Sequence, residues 1–315
     1  MTKKIVVQGD LDSQKYCEAL EDGNILFFPS IPFSFPQEEI DFLLTQKQGS
    51  SSSRKNIAYK PYEDKITNHD SQDKVSSEKL KGILRDYSLR VTNYLSNLLA
   101  PYANGWVHDY ASFRPFQEKG RNLRTRARND LLHVDAFPTR PLHGGRILRF
   151  FTNINPTESR YWITSENFEE LVKKYMNEMK VPSSLGFSLK DLLERKMKQG
   201  LRRIGINIPL RSPYDHFMLQ MHHFLKENGA FQENCRKDHW AFPPGSCWAV
   251  FTDQVSHAAL EGQYALEQTF IIPQNVLILP EKSPASVLQR LSGKNLIDPE
   301  LLKNWLAKKN RRVVS

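Results

Sequence analysis

The sequence predicts an α+β protein in which short β-strands form a barrel or a sandwich, surrounded by helices. Apolar runs bounded by turn residues indicate strands, and they lie mainly within residues 23–62, 105–155 and 238–280. Residues 156–230 show helical periodicity instead, so we interpret them as a helical insertion between strand-rich regions. A basic helical tail is predicted at 283–315. We therefore expect one domain that spans residues 1–315.

The first half of the chain alternates between short strands and helices. We predict strands at residues 4–7, 23–29, 57–62 and 106–113, and helices at residues 12–20, 35–46 and 77–99. The helix at 77–99 is the most regular, because its apolar residues from Leu80 to Leu98 recur at three- and four-residue steps. Such a helix is expected to support a sheet.

The second half changes from helix to strand. We predict helices at residues 166–180, 188–199 and 213–228, then strands at 240–242, 247–252, 263–272 and 277–279, and a helix at 299–308; the strand at 247–252 leads into the segment 255–260. Acidic first turns, a Pro at position 213 and a Gly at position 200 mark the helix ends. Tight turns such as Pro243–Ser246 separate the later strands.

Composition is typical of a soluble globular protein, with 39% hydrophobic and 25% charged residues. No apolar run approaches the roughly 18 residues that a membrane span requires. The N-terminus lacks the apolar core of a secretion signal, and the three cysteines are far apart, which is typical of reduced thiols. We therefore expect a cytoplasmic protein.

The chain is basic, with 44 Lys and Arg residues against 35 acidic residues and a net charge of +9. A positively charged surface alone could explain this, but the arginines are unevenly placed, which favours an anionic partner. They cluster at Arg114, Arg121, Arg124, Arg126, Arg128, Arg140, Arg146 and Arg149. No basic motif interleaved with aromatic residues is present to stack on bases, so a nucleic acid is not the expected partner.

A His-x-Asp pair lies at the start of the segment Leu131–Asn155. If this segment is a strand, the side chains of His133 and Asp135 point from the same face, because residues i and i+2 do so. Together they would supply two thirds of the 2-His-1-carboxylate triad of non-heme Fe(II) oxygenases. Taken alone, such a pair can also be structural.

His257 is the candidate third ligand, 122 residues after Asp135. It follows a predicted strand and precedes a hairpin, and in a jelly-roll barrel distant strands become neighbours. His143 and His239 remain alternative ligands near the predicted mouth of the barrel. We interpret the other histidines of these regions as polar surface or core residues, namely His108, His222 and His223.

Two segments resemble the hydroxylases of 3-deoxy-D-manno-oct-2-ulosonic acid (Kdo). They are HVDAFPTRPLHGGRILRFFTNINP and PPGSCWAVFTDQVSHAALEGQYALEQTF, and the resemblance extends over about residues 23–280. It implies a double-stranded β-helix, a jelly-roll and cupin-like core, with iron ligands at His133, Asp135 and His257. It also implies an enzyme that uses Fe(II), 2-oxoglutarate and dioxygen to hydroxylate C3 of a Kdo sugar in lipopolysaccharide, giving the 3-hydroxy sugar Ko.

One position departs from the pattern of many 2-oxoglutarate dioxygenases. Where a cation often follows the distal histidine by about ten residues and pairs with the cosubstrate, this chain has the uncharged Gln268. The cation must then come from another strand, where a guanidinium could form a bidentate pair. We favour Arg149 over Arg146, because alternation puts Arg149 on the same face as the polar Asn153. Asn153 and Gln268 are counted with the predicted cosubstrate site.

The remaining arginines are predicted to bind the acid groups of the substrate. They are Arg121, Arg124, Arg126, Arg128 and Arg140. The expected substrate, a Kdo-containing lipid A, is made at the cytoplasmic face of the inner membrane, and the basic C-terminal tail fits a peripheral enzyme there. Two alternatives stay open: a 2-oxoglutarate hydroxylase of protein or nucleic acid, and a metal-free barrel that binds an anionic glycan. The sequence does not predict the oligomeric state.

Overall fold

The computed structural model describes residues 2–7, 12–47, 56–69, 73–180, 189–206 and 208–310. The strands in these ranges are β1 (Lys4–Val6), β2 (Ile25–Phe28), β3 (Ile57–Lys60), β4 (Lys65–Thr67), β5 (Val107–Arg114), β6 (Arg146–Asn153), β7 (Arg160–Asn167), β8 (Asp238–Phe242), β9 (Cys247–Phe251), β10 (Val255–Glu261) and β11 (Ala265–Ile272). The helices are α1 (Ser13–Glu21), α2 (Gln37–Thr45), α3 (Lys74–Leu98), α4 (Ala100–Ala103), α5 (Phe168–Tyr175), α6 (Leu189–Arg203), α7 (Pro213–Glu227), α8 (Gly229–Asn234), α9 (Pro284–Ser292) and α10 (Pro299–Asn310).

Two sheets pack face to face and form the core. The larger has the strand order β1-β2-β9-β6-β11-β5-β3-β4, and the smaller has the order β10-β7-β8. Aromatic side chains of both sheets fill the space between them: the ring centroids of Phe151 and Trp162 are 4.9 Å apart, and those of Phe242 and Trp248 are 3.9 Å apart. Strands distant in sequence are thereby neighbours, which confirms the predicted double-stranded β-helix.

Helices cover the outer face of the larger sheet. Buried residues of α3, including Leu84, Tyr87 and Val91, join one apolar cluster with Leu148 and Phe150 of β6. This confirms the predicted supporting role of the long helix, which shields one face of β6 from solvent. The opposite face of β6 is thus left to point between the sheets. No helix of the described ranges is long and apolar enough to cross a membrane.

The predicted helical insertion at 156–230 is wrong at its start. Strand β7 lies inside it and is the middle strand of the smaller sheet, so the helices α5 to α8 form a block between β7 and β8. The strand was difficult to recognise because its alternation is weak: Arg160 is buried although it is charged, and residues 162–165 are buried on both faces of the strand.

The strand predicted at 277–279 is also wrong. This segment runs between two short 3-10 helices, Gln274–Val276 and Pro280–Lys282. The amides of Ile278 and Leu279 donate to the carboxylate of Glu21, at 2.9 and 2.7 Å, instead of to a neighbouring strand. A buried side chain thus satisfies the backbone donors that a strand would have paired. The predicted helical character of the C-terminal tail is confirmed by α9 and α10, while residues 311–315 lie outside the described part.

Candidate active site

The His-x-Asp segment lies beside β10 but is not a regular strand. Its pairing is a single bridge, in which the amide and carbonyl groups of His133 and His257 bond each other at 3.1 and 2.9 Å. The amide of Asp135 then donates to the carbonyl of Thr252 at 2.8 Å. The predicted strand is therefore corrected to one bridge. Alternation nevertheless holds, because Leu132 and Val134 pack into the helical core while His133 and Asp135 line the cavity.

His133, Asp135 and His257 come together, as the sequence predicted. The ring centroids of the two histidines are 4.8 Å apart, and His133 Nε2 lies 3.5 Å from Asp135 Oδ1. Each imidazole directs Nδ1 at the backbone carbonyl two residues earlier, at 2.7 Å for His133 and 2.9 Å for His257. A carbonyl can only accept, so Nδ1 carries the hydrogen and Nε2 keeps a lone pair. Two imidazole nitrogens and a carboxylate form the donor set that Fe(II) oxygenases use.

Electrostatics favour the protonation states that a divalent metal requires. Burial lowers the pKa of His133 well below its usual range and lowers that of His257 as well. Burial opposes ionisation of Asp135, but its neighbours, with the positive charge of Arg149 first among them, outweigh burial and hold the pKa of Asp135 well below its usual range. Neutral imidazoles and an ionised carboxylate are the forms that bind metal.

The two alternative histidine ligands are far from this arrangement. His143 is buried with its Nδ1 3.0 Å from Asp215 Oδ2, an ion-pair geometry within the helical block. His239 is exposed on β8. Neither lines the cavity into which His133, Asp135 and His257 open. All three candidate third ligands are in the described part of the chain, and His257 is the one that lines the cavity together with His133 and Asp135.

His222 lies behind the site, although the sequence placed it among surface or core residues. One ligand atom each of His133, Asp135 and His222 lie within 4.8 Å of one another. Its Nδ1 bonds the carbonyl of Val134 at 2.8 Å, between the two predicted ligands. His222 does not line the cavity, so we expect it to position the His-x-Asp segment from α7 and not to face the cosubstrate. No local sequence signal could have identified it.

We predict that His222→Phe weakens metal binding. The substitution removes the hydrogen bond to the carbonyl of Val134, between the two candidate ligands, and loss of such supporting contacts typically lowers metal affinity by about 10- to 100-fold. Titration of the protein with Co(II), followed by its visible absorption, measures the affinity. His223→Phe is the matched control, since His223 is the next residue on α7 and is partly exposed. Equal Co(II) affinities of the two variants would contradict the positioning role.

The candidate ligands open into a cavity of about 740 Å³ between the sheets. Five cationic side chains and two carboxylates line it: Lys60, Arg114, Arg121, Arg140, Arg149, Asp135 and Glu267. The wall also includes the rings of Phe137, Phe151 and Trp162. This volume suits a small organic ligand, and the excess of positive charge suits an anionic one.

Arg149 projects into the cavity next to the candidate metal ligands, as the alternation of β6 predicted. Its Nε lies 2.9 Å from Asp135 Oδ2, and its guanidinium also pairs with Glu267. Arg114 pairs with the other oxygen of Glu267 at 2.5 Å. Burial opposes ionisation of Glu267, but the charges of Arg149 and Arg114 outweigh it and lower its pKa. Two guanidinium groups thus flank one buried carboxylate.

The other residues predicted to bind cosubstrate lie outside the cavity. Arg146 is fully buried on the opposite side of β6, with Nε 3.0 Å from Asp253 Oδ2 and its guanidinium over the Phe251 ring. Asn153 donates to the carbonyls of Glu158 and Phe242. Gln268 donates to the carbonyls of Asp109 and Thr269. These positions give the three residues structural contacts in the barrel wall and do not match the predicted cosubstrate role.

Only two of the five arginines predicted to bind substrate line the cavity. Arg140 pairs with Asp109 and lies between two rings, 4.0 Å from the centroid of Tyr110 and 4.3 Å from that of Phe137. Arg121 lies 3.7 Å over the ring of Phe116. Neighbouring aromatic rings hold both guanidinium groups in place.

The remaining three predicted arginines point elsewhere. Arg126 is exposed and pairs with Glu227, and Arg128 pairs with Asp130 at 2.6 Å. Arg124 is exposed just before the 3-10 helix Thr125–Ala127. The loop turns these side chains away from the barrel, so the expectation that they bind substrate does not fit their positions.

The sequence did not assign four cavity residues. Arg114 was counted in the arginine cluster without a role, whereas Lys60, Glu267 and Trp162 gave no signal. Trp162 stacks on the His257 ring, with centroids 5.2 Å apart and planes 19° apart. Glu267 is adjacent to Gln268, so the uncharged position that the sequence singled out is next to the acid that faces the cavity.

The chain is similar to known proteins over most of its length. The family model for 3-deoxy-D-manno-oct-2-ulosonic acid (Kdo) hydroxylase matches residues 6–295. Structures of the Kdo hydroxylase KdoO, a non-heme Fe(II) α-ketoglutarate-dependent dioxygenase, are similar to this chain. The complex with α-ketoglutarate and Fe(III) is 33% identical at a TM-score of 0.80, and the complex with cobalt(II) is 34% identical at 0.81. Both comparisons cover 94% of this chain and 97% of the other.

No curated protein sequence matches the chain. The family model extends over most of its length, and the solved Kdo hydroxylase structures share both the barrel and its surrounding helices. The chain belongs to the Kdo hydroxylase family.

Proposed function

We propose that this chain is an Fe(II)- and 2-oxoglutarate-dependent dioxygenase that hydroxylates C3 of a Kdo sugar in Kdo-lipid A to give Ko. One observation carries the proposal. Two neutral imidazoles and an ionised carboxylate converge at the wall of a cationic cavity, in a chain of the Kdo hydroxylase family.

His133, Asp135 and His257 would hold the iron. Their donor set fits, because each histidine presents Nε2 while Nδ1 is held by a backbone carbonyl. When bound, Fe(II) supplies the activation of dioxygen that is coupled to oxidative decarboxylation of 2-oxoglutarate. The contribution of the protein is to hold these three side chains in position and to exclude water from them, since all three are largely buried.

Arg149 would bind the far carboxylate of 2-oxoglutarate, together with Arg114. The Nε of Arg114 is buried and has no hydrogen-bond partner among the described residues, while the Nε of Arg149 lies 2.9 Å from Asp135 Oδ2. Buried donors in native proteins are almost always satisfied, so an anionic ligand is the natural partner for Arg114, and Arg149 lies beside it on the other oxygen of Glu267. Glu267, held between the guanidinium groups, would keep them apart and oriented.

Arg121, Arg140 and Lys60 would bind the acid groups of the Kdo-containing substrate. They line the same cavity as the ligands, and neighbouring rings hold the two arginines in place. The carboxylate of a Kdo sugar and a nearby phosphate require such cations. A substrate carried by lipid A would be met at the cytoplasmic face of the inner membrane, where this enzyme would act peripherally.

The proposed reaction predicts a defined product. Incubation of Kdo-lipid A with the protein, Fe(II), ascorbate and 2-oxoglutarate should add one oxygen atom to a Kdo fragment and release succinate in equal amount. Mass spectrometry of the lipid before and after reaction measures this. An added oxygen atom on the lipid A fragment instead would show that the enzyme hydroxylates a different part of the substrate. No gain on any Kdo acceptor, with the protein shown to bind iron, would contradict the proposal.

A further inference from the structure

Exposed apolar side chains are concentrated on one helix outside the barrel. Nine large hydrophobic residues of the described ranges are exposed, and five of them lie on α6 or just after it. We call these five the α6 face: Leu192, Leu193, Met197, Ile204 and Ile206. Leu193, Met197 and Ile204 are 69%, 60% and 72% exposed. Leu193 and Met197, four residues apart, lie on one side of α6, and Ile204 follows directly after its last residue.

The same segment is strongly basic. Residues 192–206 contain five Lys and Arg residues and one acidic residue. Lys196, next to Met197, is exposed, and Lys198 is partly exposed. A helix that exposes apolar side chains among basic ones is typical of segments that lie in the interface of an anionic membrane. Packing on the barrel does not explain this composition, because the α6 residues whose side chains the structure describes belong to none of the apolar core clusters.

Contacts connect α6 to the wall of the active-site cavity. A small recess of about 100 Å³ is lined by Arg195 and Lys198 of α6 and by Arg211. Arg211 donates a hydrogen bond to the carbonyl of Pro138, and Pro138 lines the cavity that contains the candidate metal ligands. A partner that binds to α6 would therefore lie close to the cavity that contains the candidate metal ligands.

We propose that the α6 face docks on the surface of an anionic bilayer and brings the cavity to a sugar carried by a lipid. This rests on the proposed function, in which the substrate is attached to lipid A. The apolar side chains would enter the boundary between headgroups and acyl chains, while exposed basic side chains such as that of Lys196 would remain at the anionic headgroups. The charge of the segment favours this occupant over a second copy of the chain, which has a net charge of +9.

Sedimentation with vesicles tests the proposal. We use vesicles of phosphatidylglycerol and phosphatidylethanolamine, and vesicles of phosphatidylcholine alone. The protein should bind the first about tenfold more tightly or better, and added salt should weaken binding. Leu193→Asp/Met197→Asp should reduce binding about tenfold or more, because it places two charges in the apolar face. Val75→Asp/Leu89→Asp is the matched control, since both residues are exposed apolar positions on α3.

The outcomes separate this proposal from the enzyme reaction. Vesicle binding needs neither Fe(II) nor 2-oxoglutarate, so a lack of hydroxylation leaves the sedimentation result intact. Circular dichroism and thermal melting show whether each double variant is folded. The proposal is overturned if the unaltered protein does not sediment with the anionic vesicles, or if the two double variants bind equally. A dimer that dissociates only in Leu193→Asp/Met197→Asp, without vesicle binding, would assign the face to a second copy.

Discussion

Asp135→Asn is expected to abolish hydroxylation of a Kdo acceptor and to weaken Fe(II) binding by more than about 100-fold. The substitution keeps the size of the side chain but removes the negative charge that would balance the metal. It leaves two imidazoles, which hold a divalent ion less well than the full donor set. Anaerobic titration with Fe(II) or Co(II) measures the affinity, and succinate release that depends on the Kdo acceptor measures turnover.

Asp64→Asn is the control for this variant. Asp64 also pairs with an arginine, Arg85, but the pair is partly exposed and lies away from the cavity. Asp135→Asn also removes one partner of Arg149, so thermal melting must accompany the titration; Glu267 remains to pair with that arginine. A folded Asp135→Asn protein with unchanged metal affinity would remove Asp135 from the metal site and with it the proposed mechanism.

Arg149→Met should raise the dissociation constant of 2-oxoglutarate by about 30-fold or more, because loss of one partner of a buried charge-assisted pair costs several kcal/mol. The affinity for Co(II) in the absence of 2-oxoglutarate should fall much less, since Arg149 is not a ligand. Arg149→Lys should restore only part of the 2-oxoglutarate affinity, because an ammonium cannot form a bidentate pair. Quenching of protein fluorescence by 2-oxoglutarate, with Co(II) present, measures both variants.

Two further variants make this result specific. Arg126→Met removes an exposed arginine that pairs with Glu227 away from the cavity, and it should leave 2-oxoglutarate binding unchanged. Arg114→Met tests the neighbouring guanidinium on Glu267. If Arg149→Met binds 2-oxoglutarate normally and Arg114→Met does not, the far carboxylate belongs to Arg114 alone and our preference for Arg149 is incorrect.

Local patterns in the sequence were sufficient for most of the secondary structure and for part of the site. Helix α3 follows from apolar residues at three- and four-residue steps, and the orientation of Arg149 follows from alternation along β6. Both properties depend only on residues close in sequence. In β7 both faces of the strand are buried over residues 162–165, so apolar and polar residues do not alternate, and the sequence pattern did not predict this strand.

Tertiary structure decided which of the many candidate side chains meet. His222 lies 87 residues after Asp135 in the sequence, yet α7 holds it against the His-x-Asp segment. The arginines of the cluster looked equivalent in the sequence, but the loop around residues 124–128 turns three of them outward while Arg114 points into the cavity.

The sequence by itself determined the residue types, the α+β architecture and the pairing of His133 with Asp135, because periodicity and neighbouring positions are local properties. The tertiary structure brought the predicted third ligand, His257, to this pair, and it alone decided that Glu267 lies between Arg114 and Arg149 and that Arg146 is excluded from the cavity. Those relations depend on the pairing of strands far apart along the chain, and on which face of each strand the opposing sheet or helices cover. Long-range packing sets both, and no short pattern encodes it.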